Sequence, residues 1–177
     1  MKRRFSILVA LVAVLSMVMA VPATAKEPLQ GDMELYFNLG YGNQEAPCPD
    51  ITWAGSVQLD GVDYGIAFFP IASEHRGNSY HFEETWEVYA EPFDFTGGGA
   101  LMVCAPGEVV LRGPDKGVEV DNDYHIIGSV DYAAGALEAW KGRQMRARGT
   151  GVFMEVVDPA GDIVLVPLTA HGTFRLN

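Results

Sequence analysis

The chain has 177 residues, about half of them hydrophobic, with 23 acidic against 12 basic side chains and a net charge of −11. That length suits one domain burying about two-thirds of its unfolded surface, so no partner chain is needed for folding and a monomer is expected. An acidic surface repels nucleic acid phosphates and anionic lipid alike, which argues against direct binding to either.

Lys2, Arg3 and Arg4 precede an apolar run from Phe5 to Val21, and Ala23-Thr24-Ala25 supplies the small residues of a signal-peptidase site. Residues 1–25 therefore read as a signal peptide and 26–177 as the exported domain, secreted to the periplasm or beyond. A retained anchor is the competing reading, but Ser6 and Ser16 interrupt the run and Pro22 closes it short of the ~20 residues a spanning helix needs. Losing three basic residues takes the charge to −14. Cys48 and Cys104 are the only cysteines. Export makes a disulfide between them the expected state, stabilising the fold by roughly 4 kcal/mol through loop closure.

Glycines and prolines divide the domain into short β-branched and aromatic segments, which predict strands. These are Met33 to Leu39, Ile51 to Leu59, Val62 to Phe69, Tyr80 to Tyr89, Gly99 to Cys104, Glu108 to Arg112, Tyr124 to Asp131, Met145 to Val157, Ile163 to Leu168 and Gly172 to Leu176. Asp60-Gly61 is a two-residue hairpin signal, because both central positions of a type I′ turn take positive φ. Asp158-Pro159-Ala160-Gly161 and Gly113-Pro114-Asp115-Lys116-Gly117 predict two more turns. Only residues 131–140 read as helical, through Ala133, Ala134, Ala136, Leu137 and Ala139.

An all-β domain of this kind is either a single antiparallel β-barrel of about eight strands or a two-sheet β-sandwich. The barrel is favoured: Ile51, Trp53, Val57 and Leu59 alternate with smaller or polar residues, and a meander of short turns closes naturally. Gly149-Thr150-Gly151-Val152-Phe153, Asp158, Gly161 and the terminal Gly172-Thr173-Phe174 resemble the closing strands of secreted calycin-like barrels of the allene oxide cyclase and dirigent type. The resemblance covers roughly the last 30 residues. It implies an eight-stranded barrel with an apolar interior, and no particular reaction.

His81-Phe82-Glu83-Glu84-Thr85-Trp86-Glu87-Val88-Tyr89 holds the densest set of functional side chains. In a strand, His81, Glu83, Thr85, Glu87 and Tyr89 share one face, and Phe82, Glu84, Trp86 and Val88 the other. Were the first face to line a lumen, His81, Glu83 and Glu87 would be acid–base groups or hard metal ligands. Phe82, Trp86 and Val88 favour the opposite arrangement, with the first face in water. Asp115, Glu119, Asp121 and Asp123 form an acidic run with the oxygen ligands calcium uses, Asp121 and Asp123 foremost. The run lacks the EF-hand pattern, and a solvated loop is the simpler account.

Lys141, Arg143, Arg146 and Arg148 concentrate basic charge in this acidic chain. Arg146 and Arg148 could receive an anion, but cross-strand pairing beside the Glu83 to Glu87 strand is the expected role. The histidines lack zinc spacing, and nucleophile elbows, P-loops and dinucleotide fingerprints are absent from the sequence, so no cofactor is expected. Trp53 and Trp86 are core residues or walls of a ligand site. The expectation is a non-catalytic barrel that binds a small apolar molecule or serves as an extracellular interaction module. The alternatives are a lumenal isomerase or cyclase and an envelope structural protein.

Overall fold

The structure, a computed structural model, describes residues 27–95, 101–157, 161 and 163–177. The expected signal peptide lies outside them. Strands run as β1 (Leu29–Phe37), β2 (Trp53–Leu59), β3 (Val62–Arg76), β4 (Ser79–Tyr89), β5 (Val109–Val120), β6 (Asp123–Ser129), β7 (Tyr132–Ala133), β8 (Gln144–Val157) and β9 (Ile163–Leu176), with a 3₁₀ helix, Gly135–Trp140, between β7 and β8. All pairings between them are antiparallel. Eight strands close into a barrel in the order β1-β2-β3-β4-β5-β6-β8-β9, with β9 returning to β1, and β7 is an extra strand on β5. The β-sandwich alternative is set aside.

Local chemistry explains the register. Asp60 and Gly61 both take positive φ, as the hairpin between Leu59 and Val62 requires. Asp121 and Asn122 form an equivalent turn between β5 and β6, with φ of 51° and 72°. The turn expected at Asp158 to Gly161 lies outside the described residues apart from Gly161, although β8 and β9 pair from Val157 and Ile163 onward.

Four expectations need correction. Gly113 to Gly117 is not a turn but the middle of β5. Pro114 is tolerated because β5 pairs with β7 at Leu111 and Arg112 and with β6 only from Asp115, so its missing N–H falls between two ladders. β3 continues past Pro70 to Arg76 by a bulge that leaves Ile71 unpaired between Pro70 and Ala72. β9 is one strand where two were expected. Residues 101–104 form a loop with one isolated bridge, Phe95 to Leu101, and 99–100 lie outside the described residues. The short helix is present as the 3₁₀ turn, starting at Gly135 with φ 58° rather than running through it.

Alternation along each strand sends one side chain in two to the interior. Met33, Leu35, Val57, Leu59, Ile66, Phe68, Trp86, Val88, Leu111, Met145, Phe174 and Leu176 form a continuous core. Phe174 meets Trp86 edge to face at 5.6 Å, a contact worth about 0.5–1.5 kcal/mol beyond its area. Leu137 and Trp140 of the 3₁₀ helix are buried in the same core. They lie toward the barrel end carrying Leu29, Met145 and Leu176.

A second core lies outside the barrel. Ala54, Ala67 and Tyr89, on the outer faces of β2, β3 and β4, are covered by the loops flanking Cys48 and Leu101. The Cys48–Cys104 disulfide joins those loops. Asn38 completes the joint: its Nδ2 donates to the carbonyls of Cys48 (2.7 Å) and Ile51 (3.0 Å), and its Oδ1 accepts from the amides of Gly40 (3.0 Å) and Leu101 (3.3 Å).

Candidate functional site at the barrel mouth

At the end opposite the 3₁₀ helix the strands overrun the packed core, and a cavity of about 510 Å³ opens. Phe37, Trp53, Phe68, Phe82 and Phe153 supply aromatic wall, and Glu84, Glu119 and Tyr124 bring polar groups to it. Phe37 and Trp53 contact edge to face at 5.5 Å.

The polar floor follows from alternation. On β4, Phe82, Glu84, Trp86 and Val88 face inward; on β5, Leu111, Gly113, Asp115, Gly117 and Glu119 do. Glu84 and Asp115 are direct cross-strand partners, 7% and 4% exposed. Glycines make the room. A Cβ on Gly117 would lie 2.1 Å from the Phe82 ring, and one on Gly149 or Gly172 would lie 2.4 or 2.5 Å from the Tyr124 hydroxyl. The Gly149–Gly172 pair of β8 and β9 thus leaves the space that Tyr124 occupies.

Both carboxylate oxygens of Asp115, the Tyr124 hydroxyl and Trp86 Nε1 are buried without a hydrogen-bond partner among the described residues. Burial holds Glu84 up to about 7. Burial, and then the charge of Glu84, push Asp115 up to about 8. Two carboxyls opposite one another in an apolar interior do not both ionise readily, so near neutral pH the pair holds a proton. Burial also raises Tyr124, which stays a neutral phenol. At the rim, burial raises Glu119 while His75 opposes the shift.

The sequence-derived candidates divide sharply. Trp53 lines the cavity. Trp86 is fully buried in the packed interior. His81, Glu83 and Glu87 point outward: His81 meets Ser79, Glu83 pairs with Lys116, and Glu87 lies 3.7 Å from Arg112 and accepts from the Tyr89 hydroxyl. Arg146 and Arg148 are exposed on the outer face of β8, whose neighbours are β6 and β9. They do not adjoin the Glu83 to Glu87 strand, whose basic partners come from β5, so that expectation is overturned by the strand order. Arg146 donates to Gln144 and lies opposite Arg175. Asp121 sits in the β5–β6 turn, and Asp123 accepts from Thr150. Among the described residues no three His, Cys, Asp or Glu side chains converge as metal ligands.

Sequence reasoning missed Glu84 and Asp115 as a pair. Glu84 is the one charged residue on the face of Phe82, Trp86 and Val88, and that misfit was the signal. No protein-family model matches the chain, and no curated protein or solved structure matches it either.

Proposed function

We propose that this is an exported barrel whose mouth cavity holds a small, largely apolar molecule. The observation that carries the reading is the 510 Å³ aromatic-walled cavity, a size typical of small-molecule sites, which run from about 300 to 1,000 Å³. The polar groups that Glu84, Glu119 and Tyr124 bring to it suit a ligand with one polar end. The leader and the disulfide support export, and no helix among the described residues is long and apolar enough to cross a membrane.

The test is titration with Nile red, a neutral apolar fluorophore, alongside Ala170→Trp, which fills the lumen from β9 where Ala170 lines the cavity. One-to-one binding that this variant loses while its β-sheet circular dichroism persists supports the reading. Binding that the variant leaves untouched overturns it.

A catalytic reading has one observation in its favour, the Glu84–Asp115 pair, held near neutral as general acids and bases are. In that case an isomerase or cyclase would use Glu84, the carboxyl that reaches the cavity, rather than His81, Glu83 or Glu87. Glu84→Gln would then abolish turnover of a bound substrate without abolishing its binding.

A further inference from the structure

The polarity of the lumen identifies the ligand's polar end. Every inward-facing ionisable group near the cavity floor is acidic or phenolic: Glu84 on β4, Asp115 and Glu119 on β5, and Tyr124 on β6, with Tyr80 on β4 and His75 on β3 toward the mouth. Every lysine and arginine among the described residues is exposed, and those on the barrel strands point outward. A carboxylate or phosphate entering this cavity would meet the carboxyl groups of Glu84 and Glu119, with Asp115 buried behind Glu84, and no fixed cation. A neutral alcohol would find hydrogen bonds but no charge complement.

We infer that the mouth cavity binds an organic ammonium ion, its charged nitrogen against Glu84 with Asp115 behind it and its apolar body against the aromatic wall. The inference rests on the lumen being the ligand site. Two further features fit it. Phe37, Trp53, Phe68 and Phe82 present the rings on which organic cations are held by cation–π attraction, Trp being the best of these. The chain's net charge of −11 draws cations toward the molecule at long range.

The arrangement gives the site a proton-coupled character. A bound ammonium favours the charged form of the carboxyl beside it, so binding near pH 7.5 expels a proton held by the Glu84–Asp115 pair. Protonation of both carboxyls at lower pH removes the counter-charge and weakens the ammonium.

The experiment uses three probes with one body: 4-phenylbutylamine, 4-phenylbutanol and 4-phenylbutanoate. Each is titrated calorimetrically into the full exported protein at pH 7.5 and pH 5, in buffers of different ionisation enthalpy. The expected result is that the amine binds at least roughly tenfold more tightly than either analogue at pH 7.5, as a charge-assisted contact predicts. It releases protons, and its advantage shrinks at pH 5. Glu84→Gln, an isosteric change, should remove the preference while retaining alcohol binding. The proton release is read on the unaltered protein, so the test stands even where the variant misfolds. Alcohol or carboxylate binding as tightly as the amine, or amine binding without proton release, overturns the ammonium inference while leaving a lumenal apolar site. Failure of all three probes to bind overturns the lumen reading as well.

Discussion

Glu84 and Asp115 should make this protein less stable as pH rises through neutrality, and replacing both should abolish that loss. Glu84 is raised from 4.5 to about 7 and Asp115 from 3.8 to about 8. A carboxyl whose folded-state value lies above its unfolded value binds its proton more tightly in the native state. Its stabilising contribution is therefore complete below about pH 4 and is lost as pH climbs through the folded-state values, here between about pH 5 and pH 8. At about 1.4 kcal/mol per pH unit, ionising Glu84 costs the fold on the order of 3 kcal/mol and Asp115 on the order of 6 kcal/mol. Their mutual repulsion is part of the second figure. Urea unfolding followed by tryptophan fluorescence at half-unit intervals from pH 5 to pH 8.5 reads this directly. Wild type should lose several kcal/mol across the range, and Glu84→Gln/Asp115→Asn should lose far less. Every other titratable group is common to both proteins, so the difference between their slopes isolates the pair. Parallel slopes would refute the reasoning.

The loop joint yields further tests. Asn38→Ala removes the side-chain partners of the Gly40 and Leu101 amides and of the Ile51 carbonyl, while the Cys48 carbonyl keeps the Ile51 amide, and should cost about 2–4 kcal/mol in urea unfolding. Replacing Cys48 and Cys104 together with serine should lower stability by up to about 4 kcal/mol, with faster amide exchange in the loops around Asn43 and Met102 than in β8 and β9. Gly149→Ala would put a methyl 2.1 Å from the His171 carbonyl and 2.4 Å from the Tyr124 hydroxyl, and should cost about 1–3 kcal/mol and lower Tm.

Much of the barrel was legible because its signals are local. Asp60-Gly61 fixes one hairpin by φ alone, and the alternation of Trp53, Val57 and Leu59 marks one buried face. The Cys48–Cys104 bridge followed from there being two cysteines in a chain whose sequence reads as exported. What failed depended on partners distant in sequence. Gly113-Pro114-Asp115-Lys116-Gly117 carries turn chemistry, yet β4 on one side and the handover from β7 to β6 on the other hold it extended. That misreading placed Asp115 in a solvated loop, and so concealed its pairing with Glu84. Arg146 and Arg148 were set beside the wrong strand because charge complementarity does not determine strand order. The inward face of β4 was the one its apolar residues favour; the carboxyl within that face is what chemistry had to explain.

The most direct test of the ligand site is native mass spectrometry of the protein secreted by its own host, compared with its denatured mass. A monomer beginning near Lys26 whose native mass exceeds its denatured mass by one small organic molecule is the predicted result. A native mass equal to that of the disulfide-bonded polypeptide alone would contradict a lumen built to hold a ligand.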